Sequence, residues 1–434
     1  MYALIATVVG AAVDTFYRRI SLDGAVPASG PVLLVANHPN GLIDPAVVVN
    51  TAGRRVRMLA KAPLFKMPGI SLLVKGVGAL PVYRSKDGAD TAQNASTFRA
   101  VTESLVAGDA VLIFPEGISH DEPQLQRLKT GAARMALGAL QEGASGLVVV
   151  PVGLTYRDKA RFRSEVATLV GAALPVAPFL ERGPDDPEGV RALTEAIDGA
   201  LREVTVNLEA WEDLPLLQAV DALWRIDDPE HAARLKRLAD GVAVLRQRAP
   251  ERLELVRARV GEWVERLSRL GLLPRDLAPE GGIARASPAK AMSFALRQLA
   301  IAVLLFPVAL FGAVFFAVPF WAVHALYLVG RPTADVAASV KVVASLVFFP
   351  LWHGVATWGL SLWLGVPWAL AIAGVAPLCG MTTRWFFRSR LRALRDAAVF
   401  VRLLFARPLL RRLERERDEL VAAIDELAAL AEQR

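Results

Sequence analysis

Two long stretches without a charged side chain constrain the fold of this 434-residue chain more than any other feature. The first covers the 33 residues from Gln298 to Gly330, and the second covers the 42 residues from Val342 to Thr383. An α-helix needs about 20 mainly apolar residues to cross the hydrocarbon core of a bilayer. We therefore predict transmembrane helices within residues 291–383, behind a soluble region.

The charges that flank these stretches predict their orientation. Nine arginines and a single acid, Asp396, lie between Arg384 and Arg412. Cytoplasmic segments beside a transmembrane helix are rich in Arg and Lys, which anionic lipids attract by about 1 kcal/mol per cation. This block either meets an anionic membrane surface or is an ordinary solvated helix face. Basic residues also precede the first stretch, so we expect both ends on the cytoplasmic side and an even number of spans, two or four.

Overall composition excludes several classes of protein. An apolar fraction of 54% excludes a disordered chain, and the single cysteine, Cys379, excludes a disulfide framework. The net charge of +7 rests on 41 Arg and nine Lys, a bias that we attribute to genome composition, so no nucleic-acid partner is expected. These features predict an integral protein of the cytoplasmic membrane whose soluble region lies on the cytoplasmic face.

Short β-rich segments alternate with helical segments between Gly30 and Tyr156. The predicted strands are rich in Val, Ile and Leu and comprise residues 31–36, 56–60, 78–83, 110–114 and 147–154. The predicted helices comprise residues 63–74, 91–107 and 125–141. This alternation predicts an α/β domain, a central sheet flanked by helices, in residues 1–180. Its apolar first 13 residues are too short to span a bilayer and predict an interfacial helix.

The rest of the chain is predicted to be helical. Residues 184–275 have helical periodicity and predict an amphipathic segment of two or three helices. A segment rich in Pro and Gly at residues 276–290 predicts a linker to the transmembrane helices. After them, residues 384–434 predict a helical cytoplasmic tail that is first basic and then of mixed charge.

A turn-rich loop after the first predicted strand carries two residues suited to proton transfer, His38 and Asp44. Histidine accepts a proton near neutral pH, and a carboxylate on its other ring nitrogen fixes the tautomer and supports the imidazolium. Two interpretations are open. His38 and Asp44 are a catalytic pair, or His38 bonds its own turn and Asp44 only begins a helix before Pro45.

Four sequence blocks resemble those of the glycerolipid acyltransferase superfamily, which includes lysophosphatidate and glycerol-3-phosphate acyltransferases. They are Asn37-His38 with Asp44, the apolar segment 76–83 closed by Arg84, Phe114-Pro115-Glu116-Gly117-Ile118-Ser119, and the segment 149–154 with Pro151. The blocks keep the family's order over roughly residues 16–180. Five residues separate His38 from Asp44, which is similar to a branch that includes fungal glycerol-3-phosphate acyltransferases and has a carboxy-terminal membrane region.

The resemblance implies transfer of a fatty acyl group to a glycerolipid hydroxyl in phospholipid biosynthesis. It implies that His38 is the base, that Asp44 orients it, and that Arg84, Glu116, Gly117 and Ser119 bind the substrate. The supporting motif residues are Asn37, Phe114, Pro115 and Pro151. Lys61, at a predicted strand end, either reaches the same phosphate or is a surface lysine, and Arg84 alternatively pairs with Asp87 or Asp90.

The expected partners are acyl-CoA, glycerol phosphate or a lysophospholipid, and an anionic membrane surface. Because a thioester is already activated, the reaction needs no cofactor and no enzyme nucleophile, and no cluster of metal ligands is present in the sequence. The acceptor is either glycerol-3-phosphate or lysophosphatidate, with another lysolipid such as an ornithine lipid as an alternative. A non-catalytic lipid-binding scaffold is a further alternative, which the joint presence of His38, Asp44, Arg84 and Glu116 disfavours.

Overall fold

The structure, a computed structural model, describes residues 2–67, 69–83, 94–208, 213–224, 231–277 and 288–432. The chain divides into two compact units. The first comprises Met1–Trp211, Pro229–Ala239 and Pro332–Val342, and the second comprises Glu212–Asp228, Asp240–Arg331 and Val343–Arg434. The first unit therefore contains a short segment, Pro332–Val342, from far along the chain.

The first unit is built on a mixed eight-stranded sheet. Its strands are β1 (Arg19–Asp23), β2 (Val32–Ala36), β3 (Val56–Lys61), β4 (Leu80–Val82), β5 (Ala110–Ile113), β6 (Val148–Tyr156), β7 (Glu165–Val170) and β8 (Leu174–Pro175). The order is β1-β7-β6-β2-β5-β3-β4, with β8 beside β6. The strands from β6 to β4 in this order are parallel neighbours, whereas β7 is antiparallel to β6.

Helices cover the sheet on both sides. They are α1 (Tyr2–Phe16), α2 (Ile43–Thr51), α3 (Ile70–Gly76), α4 (Asn94–Val106), α5 (Gly131–Gln141) and α6 (Pro187–Val204). All of β2 is buried, and its alternate side chains enter two different hydrophobic cores: Leu33 and Val35 enter one, and Leu34 enters the other. The fold class predicted from the sequence, a central sheet flanked by helices, is therefore confirmed.

Two predicted helices of this unit differ from the structure. In place of a helix over residues 63–74, a 3-10 turn at Ala62–Phe65 precedes α3, because Gly69 has a φ of 76°, outside the right-handed helical region. The helix predicted to start at residue 125 starts at Gly131. Leu125 and Leu128, whose spacing is typical of a helix, lie in a loop, and their side chains are buried in the core.

The remaining described residues are largely helical. The helices are α7 (Asp213–Trp224), α8 (His231–Arg248), α9 (Pro250–Arg269), α10 (Pro288–Phe315), α11 (Ala317–Gly330), α12 (Ala334–Leu364), α13 (Val366–Phe405) and α14 (Arg407–Glu432). The described part of residues 184–275 thus contains four helices, α6 to α9, where two or three were predicted. One reason is Pro250, which occupies the first turn of α9 and separates it from α8.

The predicted linker is described only at its two ends. Residues 278–287 lie outside the described residues. Asp276 and Leu277 are buried in a 3-10 turn, and Arg395 of α13 makes an ion pair with Asp276, so these two positions are not linker. At the other end, α10 begins at Pro288.

Three helices in the described residues are long and apolar enough to cross a membrane: Met292–Phe315, Ala334–Leu364 and Val366–Leu403. Helix length therefore supports three spans, and not the even number that the flanking charges predict. The first uncharged stretch divides near Phe316, and α11 has only 14 residues, about 21 Å of helix against a hydrocarbon core of about 30 Å. The basic block begins within α13, which continues past Thr383 without a break.

Candidate active site

The parallel strands bring most of the predicted site residues to one edge of the sheet. Register pairs Val35 of β2 with Ile113 of β5 and Met58 of β3 with Leu112 of β5. The loops that follow these strands therefore leave the sheet on the same side. His38 follows β2, Glu116 follows β5, and Lys61 is the last residue of β3.

His38 and Asp44 form a direct hydrogen bond across the loop between β2 and α2. Nδ1 of His38 lies 2.8 Å from Oδ2 of Asp44, and the Asp44 side chain is fully buried. Because a carboxylate only accepts hydrogen bonds, Nδ1 carries the proton, and the lone pair of Nε2 is available to accept one. The ring is 12% exposed and stacks on Phe114 with 3.9 Å between centroids.

Two further donors hold Asp44. The backbone N–H of Asn40 donates to Oδ2 at 2.7 Å, and the Tyr156 hydroxyl donates to Oδ1 at 2.6 Å. Burial raises the pKa of Tyr156 well above its ordinary value, and the charge of Asp44 raises it further. The phenol therefore stays protonated, so Tyr156 is a permanent donor to the carboxylate that orients His38.

A second layer of contacts fixes the loop that carries His38. Burial raises the pKa of Tyr17 as well, so its hydroxyl stays protonated, donating to the carbonyl of Lys159 at 3.0 Å and accepting from Asn40 Nδ2 at 2.9 Å. The ammonium group of Lys159 donates to the carbonyl of Pro39 at 2.9 Å. These contacts tie the loop to the segment after β6, and Tyr17, Asn40 and Lys159 were not among the predicted site residues.

Glu116 is fully buried, and protein donors occupy both of its oxygens. Oε1 accepts the backbone N–H of His38 at 2.9 Å, and Oε2 accepts the backbone N–H of Gln126 at 2.8 Å. The Nε2 atom of His120 lies 2.5 Å from Oε2. The side chain therefore joins the loops after β2 and β5, and its predicted substrate contact stays a prediction.

Among the described residues, one cation lies beside the loop after β5 and another ends β3. Gly117 has a φ of 71°, and a Cβ there would lie 2.7 Å from Nζ of Lys129, an exposed residue that the sequence analysis did not single out. Lys61 is partly exposed at the end of β3. Arg84 lies outside the described residues.

The supporting motif residues make contacts within the sheet and its loops. Both amide atoms of Asn37 bond the backbone of Leu154 in β6, at 2.7 and 3.0 Å. Pro151 is paired with Val35 in the register of β6 and β2. The carbonyl of Pro115 accepts the N–H of Lys129 at 2.9 Å, while Phe114 stacks on His38.

Ser119 makes a contact that sequence motifs alone do not reveal. Its hydroxyl donates to Oδ2 of Asp335 at 2.7 Å, across 216 positions of the chain. Both residues belong to the first unit, because Pro332–Val342 packs within it. Among the described residues, no group of three or more His, Cys, Asp or Glu side chains is arranged to hold a metal ion.

Comparison with known proteins identifies the region that carries His38, Asp44, Glu116 and Ser119. Residues 19–155 match the family model described as Acyltransferase. The chain is 36% identical over 140 residues to glycerol-3-phosphate O-acyltransferase 2 of Saccharomyces cerevisiae, covering 32% of this chain and 19% of that protein. It is 28% identical over 142 residues to the lyso-ornithine lipid O-acyltransferase of Brucella abortus, covering 32% and 51%.

A longer match reaches further along the chain. An uncharacterised acyltransferase of Schizosaccharomyces pombe is 25% identical over 304 residues, which cover 49% of this chain and 45% of that protein. The chain thus spans less than half the length of either yeast protein.

Proposed function

Because residues 19–155 are an acyltransferase domain of the glycerolipid acyltransferase superfamily, we propose that this chain transfers a fatty acyl group from acyl-CoA to the free hydroxyl of a glycerolipid precursor. The observation that supports this best is His38, whose Nδ1 bonds Asp44 while Nε2 keeps its lone pair. The proposed setting is the cytoplasmic face of the cytoplasmic membrane, with the apolar helices as anchor and the basic block against anionic lipid.

The proposed reaction is a direct acyl transfer. Nε2 of His38 takes the proton of the acceptor hydroxyl as its oxygen attacks the thioester carbonyl carbon, and Asp44 stabilises the imidazolium. The tetrahedral intermediate collapses, the C–S bond breaks, and the thiolate of CoA takes the proton from His38. General base catalysis of this kind contributes about 10²–10⁴ in rate. No cofactor is part of the proposal, since the thioester supplies the driving force.

Glycerol-3-phosphate is the acceptor that we propose first, because the highest identity reported above is to a glycerol-3-phosphate acyltransferase. A phosphate needs cations around it. Lys129 beside Gly117, Lys61 at the end of β3, and Arg84, which lies outside the described residues, are the proposed set. Lysophosphatidate offers the same phosphate, and a lyso-ornithine lipid is the second candidate because of the Brucella relative.

Release of free thiol from acyl-CoA tests the proposal. The full chain in phospholipid vesicles should release CoA when glycerol-3-phosphate is added, and less when lysophosphatidate or a lyso-ornithine lipid replaces it. Faster release with either lysolipid would reassign the acceptor. No release with any of the three would favour the scaffold alternative and end the proposal.

Arg84→Ala tests the phosphate contact. Loss of a cation that binds only the acceptor should raise the KM for the acceptor far more than the KM for acyl-CoA. Equal increases in the two KM values would argue against the phosphate role of Arg84.

A further inference from the structure

The first two turns of α12 lie against the loop that carries the catalytic pair. Ala338 is fully buried in the hydrophobic core that also contains Ile43 of α2. Ser339 is 5% exposed, and its Oγ accepts the backbone N–H of Leu42 at 3.0 Å. Leu42 is the N-cap residue, directly before α2, and its own side chain makes no capping hydrogen bond. Ser339 therefore supplies, from 297 positions away, a partner for the start of the helix that carries Asp44.

The neighbouring residue in the loop, Gly41, lies so close to α12 that a side chain there would be crowded. Gly41 has a φ of 30°, and a Cβ there would lie 3.0 Å from Oγ of Ser339 and 3.1 Å from the carbonyl oxygen of Asp335. The backbone between His38 and Asp44 thus packs directly on α12.

Asp335, in the first turn of α12, also contacts the loop after β5. The carboxylate of Asp335 accepts the hydroxyl of Ser119 at 2.7 Å and that of Thr333 at 2.5 Å. Ser119 is followed by His120, whose backbone N–H donates to the carbonyl of His38 at 3.2 Å. One short segment therefore holds both the loop after β2 and the loop after β5.

Because α12 is longer than a membrane span requires, its first residues, which include Asp335 and Ser339, can contact the two loops. Its 31 residues make about 46 Å of helix, whereas a bilayer core of about 30 Å needs about 20 residues. The uncharged part begins at Val342, after Lys341, whose ammonium group donates to the carbonyl of Ala160 at 2.8 Å. The turns before Val342 are not needed to span the bilayer, and they belong to the first unit.

We infer that Asp335 and Ser339 are positioning residues for acyl transfer, acting through the loops of His38 and Ser119. This inference rests on the proposed function for its catalytic consequence. Neither residue touches the reacting atoms. Each holds backbone or side-chain groups of a loop whose displacement by about 1 Å would cost up to 10² in rate. The acyltransferase domain thus depends on the start of a membrane helix for its catalytic geometry.

Ser339→Ala in the full, vesicle-bound chain tests the first contact, with Ser361→Ala as the matched control. Ser361 lies later in α12, is partly exposed, and its hydroxyl donates to the carbonyl of Trp358 in its own helix. We expect Ser339→Ala to lower kcat by about tenfold, within the range for a misplaced catalytic group, and to leave both KM values unchanged. Ser361→Ala should match the parent chain. A parent-like kcat in Ser339→Ala would overturn the inference.

Hydrogen exchange of the Leu42 amide supplies a readout that needs no activity. Ser339→Ala should expose this amide to faster exchange, while amides of β2 keep their protection, which shows that the sheet remains folded. If the parent chain transfers no acyl group, the proposed function fails, and this exchange experiment still tests the contact. Unchanged exchange at Leu42 in Ser339→Ala would overturn the inference.

A double-variant cycle tests the second contact. Ser119→Ala and Asp335→Ala should each lower kcat, and Asp335→Ala should lower it at least as much, because it also removes the bond from Thr333. The combined variant should lose no more than Asp335→Ala alone, because both substitutions remove the same Ser119–Asp335 hydrogen bond. Asp198→Ala, which removes a partly exposed carboxylate paired with Arg202 on α6, is the control. Losses that multiply in the combined variant would overturn the role of this pair.

Discussion

Two histidine–carboxylate pairs lie within one site and differ in whether the second ring nitrogen of the histidine is bonded by the protein. His38 with Asp44 and His120 with Glu116 both join a nearly buried ring, 12% and 11% exposed, to a fully buried carboxylate. In the first pair the carboxylate binds Nδ1. In the second it binds Nε2, and Nδ1 of His120 accepts the N–H of Glu122 at 3.1 Å. His38 keeps one nitrogen for chemistry, whereas both nitrogens of His120 are engaged by the protein.

A buried histidine–carboxylate contact does not by itself identify a base. What separates the pairs is which ring nitrogen faces the carboxylate and what the other nitrogen meets. We therefore propose that His38 transfers the proton and that His120 positions the loops.

The largest effect is expected from His38→Ala. Removing the base should lower acyl transfer by about 10²–10⁴ and leave membrane association unchanged. Thiol release from acyl-CoA and recovery in the membrane fraction measure the two quantities. A purified variant that keeps nearly full turnover would remove His38 from the mechanism.

A smaller loss is expected from Asp44→Asn. An amide cannot stabilise the imidazolium as a carboxylate does, so kcat should fall by about 10² while the substrate KM values stay close to those of the parent. Steady-state kinetics on the full chain measures this. Unchanged kcat in a folded variant would mean that Asp44 only begins α2.

His120→Ala should cost less again. The variant removes one partner of Glu116 but leaves the N–H groups of His38 and Gln126 on that carboxylate. We expect a decrease in kcat of about tenfold, as for a displaced loop rather than a lost base. Thiol release at saturating substrates is again the assay. A loss as large as that of His38→Ala would contradict the separate roles of the two histidines.

The smallest effect concerns stability at alkaline pH. In the folded chain the pKa values of Tyr17 and Tyr156 lie above the unfolded value of 10.0, so the unfolded chain releases these protons first. The free energy of unfolding should therefore be fully retained below about pH 10 and fall as pH rises above it. Tyr156→Phe, which has one fewer such proton, should show a shallower fall in Tm between about pH 9 and about pH 11. Equal slopes in the two proteins would contradict the raised pKa of Tyr156.

Much of the fold was predictable because the central strands are buried on both faces. β2, β5 and β6 are short runs of Val, Ile and Leu, and such runs identify strands without any alternating pattern. The edge strand β1, the antiparallel β7 and the two-residue β8 were missed. The sequence of β1, RISLD, has partly and fully exposed positions, so it carries no comparable signal.

The candidate site was predictable only where its residues are close in sequence or share a motif. His38, Asp44 and Glu116 come from motif blocks, and the structure brings them into one network. Tyr156 stands 112 positions from Asp44, and Asp335 stands 216 positions from Ser119. A contact between distant positions depends on the folded topology, and composition or spacing gives no indication of it.

The central claim is that His38 transfers the proton and His120 holds the loops. The most direct test is kcat for acyl transfer in His38→Ala and His120→Ala, measured side by side in the same vesicles at saturating substrates and corrected for folded protein. The account predicts that His38→Ala is slower than His120→Ala by about tenfold or more, the difference between losing a base and displacing a loop. Equal rates, or a slower His120→Ala, would contradict it.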